Sequence, residues 1–204
     1  GEVALQHQRS QEEYRDIIGS MLEEGTRLTA TVDALLSMSR ADAGRVEIDI
    51  STFPAIGLVN EVVGLFEPLA EEKGQAIEIR GDSKVSIYAD RLLVHRALAN
   101  VLENAIKYAP AGTGILVVVQ QLAPFIEIAV HDQGSTIDES LRSKVFDRFF
   151  RIDSSRSRDA GGNGLGLSIA KWAVEANGGT IVLTSGSLSG NVFTIRLPIV
   201  ASSC

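Results

Sequence analysis

Asn100, Asn104, Lys107 and Tyr108 recur at offsets of four, seven and eight, so on an α-helix their side chains share one narrow face. Two amides and a cation on an otherwise apolar helix can form a ligand set. Asparagine carbonyl oxygens suit Mg²⁺, which keeps waters and takes further ligands from phosphates, and the Lys107 ammonium can pair with phosphate charge. An ordinary solvated face accounts for the same spacing equally well. Farther along, Gly162-Asn163-Gly164-Leu165-Gly166-Leu167 runs straight into a helical pattern. That order brings unpaired backbone N–H groups together with the positive end of a helix dipole, an anion cradle. A flexible turn is the commoner cause of a lone G-x-G, but Arg151, Arg156 and Arg158 in the flanking loop add positive charge where a triphosphate needs it. Asp132 follows the alternating Ile126, Ile128 and Val130 and precedes Gly134. A carboxylate at a strand end can accept a hydrogen bond from an amino group such as that of adenine, and an aspartate in a plain turn is the equal alternative.

These groups need elements to hold them. The pattern from Asp90 to Tyr108 is strongly periodic and stopped by Pro110 and Gly112, which predicts the helix that carries the two asparagines. Strands are predicted at 114–121 and 125–130 with Pro124 in the hairpin between them, then a short helical stretch over 139–146. Residues 151–164, rich in Ser, Arg, Asp and Gly, read as a mobile loop. A helix over 165–176, strands at 180–184 and 191–197, and a frayed tail over 201–204 complete that half. Upstream, Val46 to Ile50 alternates like a strand, Pro54 to Lys73 reads as a helix with Pro54 in its first turn, and 75–80 and 85–88 read as short strands around the Gly81-Asp82 turn. The order predicts an α+β fold, a two-layer sandwich with helices on one side of a mixed sheet.

Before all of this, Ile18, Met21, Gly25, Leu28, Val32 and Leu35 alternate spacings of three and four within 11–38, a heptad seam. Such a stripe along a helix of roughly 40 Å calls for another helix to pack on it. Ala41-Asp42-Ala43-Gly44 ends that helix, with Gly44 suited to the left-handed position past its C-terminus, and a domain boundary is placed there.

Composition narrows the partners. The chain has 204 residues, 45% hydrophobic, with a formal charge of −7, long enough for one packed domain plus a smaller appendage. The acidic balance weighs against nucleic acid, which is bound through clustered Lys and Arg. The single cysteine, Cys204, permits no internal disulfide and fits a reducing, cytoplasmic compartment. The longest apolar run, Ile115 to Val119, falls far short of the roughly 20 residues a membrane helix needs, and nothing near Gly1 resembles a secretory signal.

Taken in order, the segments resemble the sensor histidine kinases of two-component systems, in the ATP-binding superfamily that includes the Hsp90 chaperones, DNA gyrase and the MutL repair proteins. Asn100-Val101-Leu102-Glu103-Asn104-Ala105-Ile106-Lys107-Tyr108 resembles the family's N box, and Asp132-Gln133-Gly134 the start of its first glycine box. Phe146-Asp147-Arg148-Phe149-Phe150-Arg151 is similar to the F box, and Gly162 to Leu167 to the second glycine box. The resemblance implies that Asn104, helped by Asn100, holds Mg²⁺ and that Asp132 reads the adenine amino group of ATP. It implies that Lys107 and Tyr108 line the phosphate and ribose side, while Arg151, Gly162, Gly164, Leu165, Gly166 and Leu167 close a lid over the phosphates. Where the ATPase relatives carry a water-activating glutamate, this chain has Asn100, so hydrolysis should be slow; Glu103, rotated about 100° from Asn104, reads as a surface residue.

Two departures from the family pattern matter. Thr136 stands where the first glycine box has a second glycine, a β-branched residue that can crowd the base and lower affinity. The phosphoacceptor motif is missing: His7, His95 and His131 all lack the acidic residue and Arg-Thr-Pro-like stretch that follow it, and His95 lies about 180° around its helix from Asn104. The implied organisation is a partial dimerisation and histidine-phosphotransfer region over 1–44, beginning just past the acceptor helix, and a catalytic ATP-binding domain over 45–204. The implied partners are a response regulator receiver domain and a second copy joined through the helical region, with any membrane anchor in other segments. A hydrolase of the same superfamily and a non-catalytic dimerisation and docking module with a closed pocket stand as the two other readings.

Overall fold

The computed structural model describes residues 10, 11, 13–15, 17–19, 21 and 25 of the early chain, and residues 48–152, 164–186 and 190–199. His7, the seam residues Leu28, Val32 and Leu35, the 41–44 helix stop, Arg156, Arg158, Gly162 and Cys204 lie outside the described residues, as do most of the loop expected over 151–164 and the tail over 201–204. The chain divides into two compact units, Gly1–Val46 and Glu47–Cys204.

In the first unit the described residues from Gln11 to Gly25 are helical. The helix starts on a reciprocal cap: the Ser10 amide donates to Glu13 Oε2 at 2.8 Å and the Glu13 amide donates to Ser10 Oγ at 3.2 Å. Two orphan donors are satisfied at once, as the Ser-x-x-Glu spacing allows. Of the seam, Ile18 and Met21 are exposed.

The second unit runs β1 (Ile50–Pro54), α1 (Ala55–Glu72), β2 (Ala76–Gly81), β3 (Ser86–Asp90), α2 (Arg91–Tyr108), β4 (Gly114–Leu122), β5 (Phe125–Asp132), two 3₁₀ turns (Glu139–Leu141 and Lys144–Phe146), α3 (Gly166–Ala176), β6 (Thr180–Ser185) and β7 (Asn191–Pro198). Five strands form a mixed sheet in the order β2-β4-β5-β7-β6, with β2 parallel to β4 and the other pairs antiparallel. β1 and β3 make a separate antiparallel ribbon. The expected α+β sandwich with a mixed sheet is therefore the observed fold.

Alternation decides which side of the sheet is covered. Ile115, Val117 and Val119 of β4, Ile126, Ile128 and Val130 of β5, and Phe193, Ile195 and Leu197 of β7 are buried, all at alternate positions that point to one face. That face receives the helices: α1 meets β2 and β4, α2 lies over the central β5 and between the other two helices, and α3 meets β6 and β7. α2 is held by a polar start and an apolar stripe. Asp90 Oδ1 accepts from the Leu93 amide at 3.0 Å, an N-cap, and Val94, Leu98, Val101, Leu102 and Ile106 are buried beneath it.

Three expectations shift. Of the strand placed at Val46 to Ile50, Ile48 and Asp49 are not in strand and Val46 and Glu47 lie outside the described residues; the described strand is Ile50–Pro54, in which Phe53 finds its buried place opposite Ile87 of β3. Pro54 accordingly closes that strand and caps α1 in extended conformation, rather than occupying the helix's first turn. The helical stretch over 139–146 is two separate 3₁₀ turns.

Candidate functional site

The predicted face of α2 borders solvent along one edge of the helix layer. Asn100, Asn104 and Lys107 are half-buried and Tyr108 is exposed, and a rise of 1.5 Å per residue spreads the four over about 12 Å. Asn100 Nδ2 donates to the Arg96 carbonyl one turn earlier at 2.8 Å, which fixes its amide, and Oδ1 lies against Gly166 of α3. Asn104 makes no side-chain hydrogen bond among the described residues. The Lys107 ammonium lies 5.4 Å from the centre of the Tyr108 ring, within cation–π range. Glu103 is exposed, as its rotation around the helix requires. His95 lies on a different face, 3.7 Å from Glu61 of α1.

Asp132 ends β5 with the same parity as Ile126, Ile128 and Val130, so strand geometry carries it beneath the helices, where it is 5% exposed. Its Oδ1 accepts from the Gly134 amide at 2.7 Å and from Asn191 Nδ2 at 3.1 Å. Burial pushes its carboxyl above the ordinary aspartate range, and hydrogen bonds from Gly134 and from the side chain and backbone of Asn191 offset part of the rise. On the other side of the strand, burial holds the His131 imidazole below its usual range, with Asp132 acting in the opposite sense.

Asn191 belongs to none of the motifs read from the sequence, and it organises the whole turn after β5. It faces Asp132 across β5 and β7, donates also to the Ser135 carbonyl at 3.1 Å, and accepts from the Ile137 amide at 3.0 Å. A signal existed: Asn191 continues the buried parity of Phe193, Ile195 and Leu197, and a buried polar residue at such a position needs partners. Thr136 is tied to the same place, its hydroxyl accepting from the Gly190 amide at 3.2 Å. Its side chain is exposed.

Glycines let these segments close on α2. A Cβ on Gly134 would sit 3.1 Å from the Tyr108 carbonyl oxygen, and a Cβ on Gly166 would sit 2.9 Å from Asn100 Oδ1. The turn after β5 thus meets the last residue of α2, and the start of α3 meets its middle. Gly164 adopts φ +68, and a Cβ there would lie 2.9 Å from the Phe149 backbone. The Phe149 amide donates to the Gly164 carbonyl at 2.9 Å. Phe149 itself has φ 64 and is 62% exposed, a strained backbone for a bulky residue. Phe146 anchors the segment inward, edge-on to Phe193 of β7 with ring centres 6.4 Å apart.

The site therefore joins Tyr108 to Gly134 and Asn100 to Gly166 directly, with Asn104 and Lys107 on the helix between them. Leu165 and Leu167 turn their side chains to the core. α3 begins without a side-chain cap, so its first N–H groups keep the capacity described for helix N-termini. Nearby in sequence, the half-buried Arg151 has Nε and Nη2 out of solvent with no hydrogen-bond partner among the described residues. A guanidinium is always charged, and an anion is a partner whose chemistry fits these two nitrogens. Among the described residues no helix is long and apolar enough to cross a membrane.

Comparison with known proteins gives consistent relatives. The model of the family described as "Histidine kinase-, DNA gyrase B-, and HSP90-like ATPase" matches residues 89–201. The sensor protein IrlS of Burkholderia pseudomallei (strain K96243) is 36% identical over 97% of this chain and 42% of its own length. The sensor histidine kinase CusS of Escherichia coli (strain K12) is 37% identical over 97% of this chain and 41% of its own. The chain thus spans less than half the length of these relatives. Among solved structures, full-length ShkA in complex with AMPPNP is similar with a TM-score of 0.79 at 26% identity, over 98% of this chain and 42% of that one. The catalytic domain of the histidine kinase ThkA, nucleotide free, gives a TM-score of 0.66 at 26% identity over 74% of this chain and 95% of that one.

Proposed function

Since this chain belongs to the histidine kinase-, DNA gyrase B- and HSP90-like ATPase family, we propose that its second unit binds Mg-ATP between α2, the turn after β5 and the start of α3, as the catalytic part of a sensor histidine kinase. One observation carries the reading: Gly134 and Gly166, far apart in sequence, each approach the same helix so closely that an added Cβ would lie 3.1 Å and 2.9 Å from it, respectively. In this reading Asp132 accepts from the adenine amino group, and Lys107 and Tyr108 line the phosphate and ribose side. Arg151 and the backbone of Gly162, Gly164, Leu165, Gly166 and Leu167 close over the phosphates. Asn104, with Asn100 in support, would hold Mg²⁺, which would supply neutralisation of phosphate charge. Thr136 borders the base with its hydroxyl spent on Gly190.

The chemistry asked of these residues is positioning and charge stabilisation. Glu103 is exposed, and the residue one turn before Asn104 is the amide of Asn100, so no carboxylate stands ready to deprotonate water. ATP is kept for transfer of its γ-phosphoryl group to a histidine outside this chain, carried on a helical dimerisation hairpin of which residues 1–44 form a part. A second copy joins through that region, a response regulator receiver domain takes the phosphoryl group, and the unit works on the cytoplasmic side, with any membrane anchor in segments beyond this one.

Calorimetry with Mg-ATP, followed by incubation with γ-labelled ATP, tests the proposal. Saturable binding without acid-labile label on the chain is expected. Absence of binding, or phosphohistidine at His7, His95 or His131, would overturn it.

A further inference from the structure

Lys73 follows α1, and its ammonium donates to three main-chain carbonyls at the end of α2: Ile106 at 2.6 Å, Lys107 at 3.0 Å and Ala109 at 3.0 Å. That is the full donor capacity of an ammonium. The buried Gln75 adds to it, Nε2 lying 3.2 Å from the Ile106 carbonyl and 3.1 Å from those of Ala109 and Pro110. The last carbonyls of a helix have no partners within it and form the negative end of its dipole. Here their partners come from a different element, 33 residues away in sequence for Lys73 and Ile106. The clamp is reinforced by the Gly112 amide, which donates to the Lys73 carbonyl at 3.0 Å.

The clamped backbone flanks Tyr108, the residue on which the turn after β5 rests. A Cβ on Gly134 would lie 3.1 Å from the Tyr108 carbonyl oxygen, and the Gly134 amide donates to Asp132 Oδ1 at 2.7 Å. The Lys73 ammonium thus holds carbonyls on either side of Tyr108, and Gly134, packed too near the Tyr108 carbonyl to carry a side chain comfortably, donates in turn to the Asp132 carboxylate. Loss of the clamp frees the end of α2 to fray, and with it the support for Gly134.

We infer that Lys73, seconded by Gln75, is a positioning residue of the nucleotide pocket, setting the end of α2 on which Gly134 and Asp132 are aligned. The inference rests on the proposed binding of Mg-ATP at this site. It implies that Lys73, which touches no ligand, controls nucleotide affinity beyond its effect on stability.

The test compares Lys73→Met with Val59→Ala, a core change in α1, by thermal melting, Mg-ATP calorimetry and the amide NMR resonance of Gly134 in the ligand-free protein. At matched loss of stability, Lys73→Met is expected to weaken Mg-ATP binding by roughly tenfold and to move the Gly134 resonance, whereas Val59→Ala changes neither. Should Lys73→Met not fold, Lys73→Gln, which keeps two donors without the charge, is measured in the same way. A folded Lys73 variant with wild-type affinity overturns the inference, as does a Val59→Ala protein that loses affinity equally. Failure of the wild-type protein to bind Mg-ATP overturns the nucleotide reading itself.

Discussion

The side-chain amide of Asn191 donates to the carboxylate of Asp132 across 3.1 Å, joining residues 59 apart in sequence at facing positions of neighbouring strands. The same amide donates to Ser135 and accepts from Ile137, so one side chain fixes both the carboxylate and the turn that follows. Burial of an ionised carboxylate is tolerated when donors surround it, and Asn191 supplies one of those donors from a strand that no local pattern connects to Asp132.

Replacing Asn191 with alanine removes three hydrogen bonds at a buried place and leaves Asp132 and the Ile137 amide short of partners. A loss of about 1–3 kcal/mol is expected, read from urea denaturation, together with weaker Mg-ATP binding. An Asn191→Ala protein as stable as wild type would show that the turn holds itself.

The raised pKa of Asp132 fixes the sign of a pH effect. Because folding favours its protonated form, the ionised carboxylate subtracts stability above the folded-state pKa, and that penalty disappears as pH falls through it toward the unfolded value of 3.8. Asp132→Asn keeps an oxygen for Gly134 and Asn191 and carries no charge. It should therefore be at least as stable as wild type at neutral pH, with the advantage shrinking in acid, yet bind adenine nucleotide poorly. Wild-type binding should in turn fade in acid at a pH above the ordinary aspartate range. Melting curves and calorimetry from acid to neutral pH decide both, and an Asp132→Asn protein less stable than wild type at neutral pH would reverse the sign.

Gly166 and Asn100 allow a change of sign within one double-mutant cycle. Alanine is intrinsically better than glycine in a helix, by about 0.8–1.0 kcal/mol in the interior and less at a first position such as Gly166, but a Cβ on Gly166 meets Asn100 Oδ1 at 2.9 Å, and the Asn100 amide is tethered to Arg96. Gly166→Ala alone should lower stability. In an Asn100→Ala background, where the oxygen is gone, the same replacement should raise it. Identical effects in the two backgrounds would mean that the helices slide apart freely.

Arg151 trades stability for binding. Its buried Nε and Nη2 lack partners among the described residues, so Arg151→Met, which keeps the apolar stem, should stabilise the ligand-free protein by about 1 kcal/mol while weakening Mg-ATP by about tenfold or more. A lower melting temperature for the ligand-free variant would show that the guanidinium is already satisfied.

Local periodicity is enough for much of this molecule. The spacing of Asn100, Asn104, Lys107 and Tyr108 within an apolar repeat determined a helix with one polar edge, and alternation through Ile126, Ile128 and Val130 determined a strand ending in Asp132, because side-chain direction follows from backbone period alone. The capping box at Ser10 and Glu13 is likewise local, its two members three residues apart, though it belongs to none of the motifs read from the sequence. Alternation alone draws β1 toward Val46, because its partner, β3, is chosen by the burial of Phe53 rather than by any local repeat. Lys73 and Gln75 carry no distinct local signal, and Asn191 shows only a polar residue at a buried parity, since the partners of all three are carbonyls or a carboxylate that only the folded chain brings near. Sequence thus determined which groups the chain offers and on which face of which element; tertiary structure decided which donors meet which acceptors, because hydrogen bonds reach about 3 Å and only packing brings such distant residues that close.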